Sequence, residues 1–597
     1  MVRRTKSALL PLVVSIFAAC SRAPIPPQSA SSGSADQTAR NAEYHGEALG
    51  RSGTELPSIP KPPADSQVPT LTEMVPMRDG ITLATNVYLP PSSGPAFPVV
   101  LIRTPYGRGN DPVHDRLGVP LNAVGIALVT QDTRRPDQGE GQLAWNERND
   151  GVDTLNWLKS QSWCNGKIGT FGASALGITQ VLLAPATRDL ACQVIIQAPS
   201  DFYSTFCAGG VFQKDLSERY AKLMGRTKTL ETQLSHPVYD SYWQQYNAEV
   251  RAGDITAPGV HVSGWYDLYP QGAINNFLTR QHRGGEGARG NQKLIMGPWA
   301  HAISQNLGDV TFKDNHRFDR TPYVMRFFKH WLLDEQNGIM DEPAVRYYIM
   351  GDFFDPDAPG NEWRTADDWP PYPVDRTHYY LNMDRRLRPT PPRTEDTELS
   401  YVFDPADPCP TRGGNNAGIL GALPAGPLDQ RPLSSRSDVL KFETAPLEEP
   451  VEISGPIRMI LYVSTDAPDT DFTAKLVDIY PDGRELNMAD GILRVKFRNG
   501  FEKADPLPAG EIGMLEIDMW SVSVIFNKGH KIGVQISSSN WPRFEVNPNT
   551  GADLPDYSGE TPQGIRLVDT SSVRTANNTV YMDKDHPSAL ILPVRAG

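Results

Sequence analysis

The chain has 597 residues, with a hydrophobic content of 39% and a charged content of 21%. This length exceeds what a single hydrophobic core supports, so two or more domains are expected. The composition is that of a globular protein and excludes a largely disordered chain. The formal net charge of -13 argues against a nucleic-acid-binding protein, which needs clustered Lys and Arg.

The N-terminus has the pattern of an export signal. Three basic residues within the first six positions precede an apolar run at residues 8–17, which is too short to span a bilayer. We therefore predict a signal peptide over residues 1–19. Cys20, directly after two alanines, resembles the lipidated cysteine of bacterial lipoproteins, and ordinary cleavage nearby is the alternative. The expected location is the bacterial periplasm or cell envelope, with the lipid anchor as the membrane contact.

A change of composition separates the N-terminus from the folded part of the chain. Residues 20–66 are rich in Pro, Ser, Ala and Gly and have little apolar periodicity, which predicts a disordered linker. Order is expected from about residue 70. At residues 75–83 an Asp-Gly turn stands between two alternating runs, which indicates a β-hairpin.

Residues 67–342 are predicted to form an α/β domain. Short apolar runs alternate with helix-like stretches, and residues 150–159 have apolar side chains at helical spacing. The apolar runs are residues 98–102, 125–130, 167–171, 193–197, 259–263 and 293–296. Such strands, separated by helices, indicate a mostly parallel, doubly wound sheet covered on both faces. Residues 205–255 interrupt the alternation, and we predict that they form a helical cap.

After residue 343 the pattern changes to that of an all-β domain. Apolar residues alternate with others at residues 457–463 and again at 532–536, and Pro and Gly clusters punctuate these runs. Many short strands with turn signals indicate an antiparallel β-sandwich. We therefore predict a C-terminal sandwich over residues 343–597.

The sharpest chemical signal surrounds Ser174. Gly172 precedes this serine by two positions and Gly177 follows it by three, between a predicted strand and an apolar helix. Small residues are needed where a serine is held on a tight strand-to-helix turn, because the backbone packs closely on both sides. This pattern predicts a nucleophile. The alternative is an ordinary helix start with the serine as N-cap.

A serine nucleophile needs a base and an orienting carboxylate, which in this fold class follow it in the order acid, then His. Asp267 follows the predicted strand at residues 259–263, and His301 follows the strand at 293–296. His261 lies inside its strand, where a packing role is expected. His316 and His330 occur later, in loop and helix-like sequence. Chain order and strand ends therefore favour Asp267 and His301.

Several motifs together resemble those of one family of α/β-hydrolases. The motifs are Thr104-Pro105-Tyr106-Gly107, Asp132-Thr133-Arg134, Trp163-Cys164-Asn165-Gly166, Gly172-x-Ser174-x-x-Gly177, Gly264-Trp265-Tyr266-Asp267, Gly297-Pro298-Trp299-x-His301, and residues 537–544 and 547–550. In this order they resemble the cocaine esterase and X-Pro dipeptidyl-peptidase family, which also contains glutaryl cephalosporin acylases and α-amino acid ester hydrolases. The resemblance extends from about residue 70 to the C-terminus and implies an α/β-hydrolase domain followed by a jelly roll.

The resemblance also implies site residues. Ser174, Asp267 and His301 correspond to the catalytic triad, and the oxyanion hole corresponds to the Tyr106 hydroxyl and the backbone N–H of Ala175. Without the family, a structural aromatic residue after a proline turn is the default interpretation of Tyr106. No metal and no organic cofactor are implied.

Two positions depart from the family's pattern. The family commonly has Tyr directly after the nucleophile, where this chain has Ala175. The donor there is a backbone group, so we expect the oxyanion hole to persist with an altered pocket wall. The residues after Arg134 also differ, up to Gly139, where the family has further small residues. We expect a differently shaped loop at that place.

The residues after Asp267 bear on the substrate. In α-amino acid ester hydrolases, carboxylates just after the catalytic Asp hold the substrate ammonium, whereas this chain has Tyr269 and Pro270. The absence of these carboxylates favours a substrate with a neutral or acidic acyl group, and we expect a small-molecule ester or amide. Trp265, Tyr266 and Tyr269 are candidates for an apolar acyl pocket, with core packing as the alternative.

Three questions stay open at the level of sequence. The first is whether the chain is an esterase or acylase, or instead an X-Pro dipeptidyl-peptidase or α-amino acid ester hydrolase. The second is whether it is an inert surface lipoprotein whose sandwich binds carbohydrate. The third is whether any of Cys164, Cys192, Cys207 and Cys409 form disulfides or remain free thiols. The absence of a C-x-x-C pair argues against a zinc site.

Overall fold

The computed structural model describes residues 68–597 apart from 92–93, 110–116, 135–146, 302, 304–305, 309, 314–319, 396, 419–422 and 563. The signal peptide over residues 1–19, Cys20 and the linker over 20–66 lie outside the described residues. The divergent loop that ends at Gly139 also lies largely outside them. Within the described ranges, no helix is long and apolar enough to cross a membrane.

A mixed sheet forms the centre of the first domain. The strands up to residue 366 are β1 (Leu71–Pro76), β2 (Thr82–Tyr88), β3 (Phe97–Thr104), β4 (Ala127–Asp132), β5 (Cys164–Ala173), β6 (Leu190–Ile196), β7 (Cys207–Ala208), β8 (Val211–Phe212), β9 (Gly259–Tyr266), β10 (Gln292–Ala300), β11 (Asn306–Leu307), β12 (Val310–Thr311), β13 (Val345–Ile349) and β14 (Glu362–Ala366). Strands β7–β8 and β11–β12 are separate hairpins, and the others form one ten-stranded sheet in the order β1-β2-β4-β3-β5-β6-β9-β10-β13-β14. The pairings from β4 to β13 are parallel, and those of β1, β2 and β14 are antiparallel.

The apolar runs of the sequence correspond to the central strands. The six predicted runs lie in β3, β4, β5, β6, β9 and β10, and the predicted hairpin is the antiparallel pair β1–β2. Every residue of β3, β9 and β10 is buried. These strands are buried along their whole length because both faces of the sheet are covered, as parallel sheets require. The predicted α/β-hydrolase fold class is confirmed.

Helices flank the sheet and form the cap. They are α1 (Val119–Ala123), α2 (Glu147–Ser160), α3 (Ala175–Leu183), α4 (Phe202–Phe206), α5 (Lys214–Met224), α6 (Thr227–Leu234), α7 (Ser241–Gln244), α8 (Pro270–Arg283) and α9 (Arg320–Leu333). Helices α4 to α7 lie between β6 and β9, where the sequence predicted a helical insertion. Edge-on aromatic contact between Tyr203 and Trp243, with ring centroids 5.7 Å apart, joins the first and last helices of this cap.

The C-terminal domain is an antiparallel sandwich. Its strands are β15 (Val374–Leu381), β16 (Leu387–Arg388), β17 (Glu398–Phe403), β18 (Leu440–Glu443), β19 (Val451–Thr465), β20 (Asp471–Ile479), β21 (Glu485–Arg494), β22 (Gly513–Phe526), β23 (Lys531–Ser537), β24 (Tyr557–Glu560), β25 (Arg566–Val568), β26 (Ala576–Tyr581) and β27 (Ala589–Arg595). One sheet has the order β16-β15-β27-β19-β26-β17 with β22 beside β19, and the other has the order β18-β23-β20-β21. The alternating residues at 457–463 and 532–536 fall on β19 and β23, where their apolar members are fully buried.

Two strands beyond the predicted boundary at residue 343 belong to the sheet of the first domain. Strands β13 and β14 follow residue 343 but extend the ten-stranded sheet, because β13 pairs with β10 and β14 pairs with β13. The two sheets of the sandwich therefore contain strands from β15 onward.

The cap and the sandwich are joined through a buried ionic contact. The ammonium of Lys214, at the start of α5, lies 2.9 Å from the carboxylates of both Glu218 and Glu545. The backbone N–H of Lys214 also donates to the carbonyl of Arg543 at 2.9 Å. The sandwich is therefore fixed against the same insertion that covers the sheet.

Candidate active site

Ser174 occupies a strained turn between β5 and α3. Its backbone has φ 55° and ψ -124°, a combination that non-glycine residues rarely adopt. The Ser174 N–H donates to the carbonyl of Ile196 at 2.9 Å, and the N–H of Ile178 donates to the Ser174 carbonyl at 2.8 Å. The serine is thus held at the N-terminus of a nine-residue helix, where the helix dipole stabilises negative charge.

Two glycines make this turn possible. A Cβ on Gly172 would lie 2.4 Å from the Leu176 Cβ and 2.7 Å from the Leu176 carbonyl oxygen. A Cβ on Gly177 would lie 2.8 Å from the Cβ of Ala198. The strand and the helix therefore approach so closely that only hydrogen fits at both places, which explains the spacing seen in the sequence.

A continuous set of hydrogen bonds joins the serine to a histidine and a carboxylate. The Nε2 of His301 lies 2.9 Å from the Ser174 Oγ, and the Nδ1 of His301 lies 2.7 Å from the Asp267 Oδ1. Asp267 is 0% exposed and His301 is 4% exposed. A hydroxyl, an imidazole and a buried carboxylate in this series are what an activated serine requires.

The second oxygen of the Asp267 carboxylate is also held. Its Oδ2 accepts a hydrogen bond from the Ser263 hydroxyl at 2.7 Å and one from the Tyr269 N–H at 3.3 Å. Ser263 lies on β9, and Asp267 follows the end of that strand. Both oxygens are therefore engaged, which fixes the plane of the carboxylate toward His301.

His301 is positioned by its neighbours on two sides. The side-chain amide of Gln197 donates to the carbonyl of Ala300 at 2.7 Å, and Gln197 itself has φ 49°. The ring of Tyr269 meets the imidazole edge-on, with centroids 5.6 Å apart. These contacts restrain the backbone before His301 and the rotation of its ring.

Tyr106 lies after the end of β3, in a partly buried aromatic environment. Its N–H donates to the Thr104 hydroxyl at 3.1 Å. Burial, and then the neighbouring Tyr220, raise the pKa of the Tyr106 hydroxyl well above its ordinary value. The hydroxyl therefore stays protonated and able to donate. Ala175 is the first residue of α3, where a backbone N–H has no partner within the helix.

Comparison with protein families gives two matches that together span most of the described chain. Residues 79–228 and 213–303 match the X-Pro dipeptidyl-peptidase family S15. Residues 337–591 match the X-Pro dipeptidyl-peptidase C-terminal non-catalytic domain. The chain is also 31% identical over 589 residues to cocaine esterase from Rhodococcus sp. (strain MB1 Bresler), covering 87% of this chain and 97% of that protein.

The chain belongs to the cocaine esterase and X-Pro dipeptidyl-peptidase family. The structure of an α-amino acid ester hydrolase superposes on this chain with a TM-score of 0.71 and 26% identity. The match covers 91% of this chain and 100% of that one. An aminopeptidase from a marine sediment archaeon, Thaumarchaeota archaeon, has a TM-score of 0.74 at 24% identity, covering 91% and 99% of the two chains. The second likeness shows the shared fold. As a member of this family the protein is a hydrolase of the serine type that acts on ester or peptide bonds.

Of the three predicted pocket residues in this protein, Trp265 and Tyr266 are core residues. The indole N–H of Trp265 donates to the Tyr348 carbonyl at 2.7 Å, and its ring packs against Trp369. The hydroxyl of Tyr266 donates to the carbonyl of Asn487 at 3.2 Å. Consecutive residues of a strand face opposite sides of the sheet, so Trp265 packs against the first domain at Tyr348, whereas Tyr266 reaches the sandwich at Asn487. Tyr269 is the one of the three that contacts the imidazole.

The other predicted histidines are structural or lie outside the described residues. His261 is buried within β9, and its Nε2 lies 2.9 Å from the side-chain oxygen of Gln292. Burial, and then the positive charge of Arg280, lower the pKa of His261 to about 3, so it stays neutral. His330 contacts the carbonyl of Glu335 at 3.0 Å. His316 lies outside the described residues.

The four described cysteines are free thiols. Cys192 and Cys409 are buried, and Cys164 and Cys207 are partly buried. Burial raises the pKa of the Cys207 thiol to about 12. Among the described residues, no group of three or more His, Cys, Asp or Glu could hold a metal ion.

Sequence reasoning missed three supports of the site. Ser263 and Gln197 are polar residues at the ends of predicted apolar runs, and their positions beside Asp267 and His301 follow from the parallel order of β6, β9 and β10. The strand-end position was a usable signal for both. Asn415, whose amide contacts the Asp267 backbone, is separated from it by 148 residues and gave no local signal.

Substitution Gly172→Ala is expected to destabilise the first domain by about 1–3 kcal/mol, because the new methyl group overpacks the contact with Leu176. Urea unfolding measures this loss. Gly253→Ala is the matched control, because its Cβ would meet only the Arg283 carbonyl oxygen, at 3.8 Å. Equal unfolding midpoints for Gly172→Ala and the wild type would contradict the close packing of the turn.

Proposed function

We propose that the protein is an esterase or acylase in which Ser174 is the nucleophile, His301 the general base and Asp267 the orienting carboxylate. One observation carries this proposal. The imidazole of His301 contacts the Ser174 hydroxyl through Nε2 and the Asp267 carboxylate through Nδ1, at 2.9 and 2.7 Å. A carboxylate on Nδ1 fixes the tautomer and orientation in which Nε2 can take the serine proton, and it stabilises the imidazolium that forms.

The geometry supports a two-step reaction. The Ser174 Oγ bonds to the substrate carbonyl carbon while its proton passes to the Nε2 of His301. The tetrahedral intermediate then expels the alcohol or amine, which takes that proton and leaves an acyl-enzyme. Water attacks the acyl-enzyme and gives its proton to His301. The acid is released as Ser174 regains its proton.

The oxyanion of each intermediate needs donors on the face opposite His301. We assign this role to the Tyr106 hydroxyl and to the backbone N–H of Ala175. Two features support the assignment: the raised pKa of Tyr106, which keeps its proton in place, and the position of Ala175 at the start of α3. Donors aimed at a developing oxyanion contribute about 3–4 kcal/mol each.

Neutral or acidic acyl groups are the proposed substrates. Tyr269 presents an uncharged aromatic ring beside His301, and Pro270 follows it as the first residue of α8. A substrate ammonium would find no carboxylate at these two positions, and an unpaired charge in a desolvated site is strongly disfavoured. The 31% identity to cocaine esterase supports ester cleavage in particular.

Substitution Ser174→Ala is expected to abolish labelling by a fluorophosphonate probe and to lower kcat for an ester by roughly 10⁴- to 10⁶-fold, because it removes the nucleophile. In-gel detection of the labelled enzyme and an ester assay measure both effects. The control is Ser160→Ala, which removes an exposed hydroxyl that contacts only its chain neighbours, the Trp157 carbonyl and the Gln161 side-chain amide, among the described residues. Undiminished labelling of Ser174→Ala would refute the proposal.

Substrate preference is tested by comparing acyl p-nitrophenyl esters with X-Pro dipeptidyl anilides on the wild-type enzyme. We expect kcat/KM for neutral and terminally acidic acyl esters to exceed that for aminoacyl esters and anilides by at least about tenfold, or about 1.4 kcal/mol. A preference for the anilides would instead assign the protein to the peptidases of its family. That result would leave the roles of Ser174 and His301 intact.

Substitution Tyr106→Phe is expected to lower kcat by about 10²- to 10³-fold, because it removes one oxyanion donor while keeping the ring. The ratio of wild-type to variant kcat should stay constant from pH 7 to pH 10.5. An ordinary tyrosine, with a pKa of about 10, would be only about a quarter protonated at pH 10.5. A roughly fourfold fall of the ratio would therefore show that burial does not protect this hydroxyl.

A further inference from the structure

A loop of the sandwich domain reaches the backbone that carries Asp267. The side-chain amide nitrogen of Asn415 donates to the carbonyl of Trp265 at 2.7 Å and to the carbonyl of Asp267 at 2.9 Å. Asn415 is only 5% exposed. One amide group of the second domain therefore satisfies two buried carbonyls on either side of Tyr266, in the segment that bears the carboxylate.

The position of Asn415 is fixed by the two glycines that precede it. Gly413 and Gly414 have φ values of 64° and 83°, which other residues adopt only with strain. Gly414 exchanges two backbone hydrogen bonds with Gly426, at 2.8 and 3.1 Å. A Cβ on Gly414 would lie 2.6 Å from the carboxylate of Asp490. The loop therefore packs closely against β21, and its backbone hydrogen bonds fix the position of Asn415.

A second contact between the domains holds the same segment. The Tyr266 hydroxyl donates to the Asn487 carbonyl on β21 at 3.2 Å, and Tyr266 is fully buried. The three consecutive residues from Trp265 to Asp267 therefore each contact the sandwich domain through a hydrogen bond. The Asp267 side chain is left to face Ser263 and His301.

We propose that Asn415 is a positioning residue for catalysis, through which the sandwich domain sets the orientation of the Asp267 carboxylate. This inference rests on the proposed role of Asp267. A buried carbonyl that loses its donor moves toward another partner or remains unsatisfied, at a cost comparable to a lost hydrogen bond. Because Asp267 contacts His301 through a single oxygen, a small rotation of this segment misaligns the imidazole. Displacements of about 1 Å lower rates by as much as about 10²-fold.

The test uses two substitutions in the full-length protein. Asn415→Ala removes the amide, and Asn415→Asp keeps the size of the side chain but replaces the donor by an acceptor that faces two carbonyls. Both are expected to lower kcat for a p-nitrophenyl ester by about 10- to 100-fold with KM changed less than about threefold. The effect falls on kcat because the bound substrate is not touched.

Asn416→Ala is the matched control. Asn416 lies in the same loop and is 3% exposed, but its amide donates to the carbonyls of Gly413 and Pro424, at 2.8 and 3.0 Å. The control therefore removes a buried amide from the same loop, while Asn415 keeps both of its bonds to the Asp267 segment and Gly414 keeps its two backbone bonds with Gly426. We expect its melting temperature to fall by about as much as that of Asn415→Ala, while its kcat stays within about twofold of the wild type.

A spectroscopic measurement separates positioning from general loosening. The proton between His301 Nδ1 and Asp267 Oδ1 gives a downfield resonance in the proton spectrum. This resonance should shift or broaden in both Asn415 variants and remain unchanged in Asn416→Ala. An unshifted resonance with kcat within twofold of the wild type in both Asn415 variants would overturn the proposal, and so would an equal loss of kcat in Asn416→Ala. Since Ser174→Ala tests the proposed function separately, the two failures are distinguishable.

Discussion

The contact between the Ser174 hydroxyl and the His301 imidazole depends on the parallel register of the central sheet. Strands β5, β9 and β10 all end at the same edge, because β6 lies between β5 and β9 and every pairing there is parallel. Residues 174, 267 and 301 are distant in the chain, and each directly follows one of these strands. The sheet thus converts three separate strand ends into one site, which is the general property of open α/β sheets. Loss of that register would separate the side chains whatever their identity.

The site contains strained backbone conformations that the surrounding hydrogen bonds stabilise. Ser174 and Gln197 both have positive φ, and they follow β5 and β6, which are neighbours in the sheet. The backbone N–H of Gln197 donates to Val262 at 2.7 Å, and that of Ser174 donates to Ile196 at 2.9 Å. Strained conformations persist only where surrounding contacts over-determine them. Here the contacts are backbone hydrogen bonds to the adjacent strands. The strained conformations therefore depend on the pairing of the sheet.

The sequence predicted the elements whose signals are local. Apolar runs predicted the central strands, and glycine spacing predicted the turn at Ser174. Positions after predicted strands indicated Asp267 and His301. Predictions were weaker where the partner was distant. Trp265 and Tyr266 are aromatic residues of the kind that line apolar pockets, yet both are core residues: Trp265 packs within the first domain and Tyr266 contacts the sandwich. Strands β13 and β14 follow residue 343 yet join the first sheet, through a pairing with β10 that is distant in the chain. Asn415 was missed because a single buried amide leaves no periodic pattern.

The second domain therefore has a physical role that its family description, non-catalytic, does not exclude. None of the side chains at 174, 267 and 301 comes from it, yet the segment that carries Asp267 is hydrogen-bonded to it through Asn415 and Tyr266. A buried carboxylate needs a rigid frame, because any freedom to rotate toward other donors weakens its hold on the imidazole. The first domain supplies that frame through Ser263 and the sandwich completes it. The loop of Gly413 and Gly414 packs closely against β21. This close packing holds Asn415 in place, so that its amide can fix the backbone of Asp267.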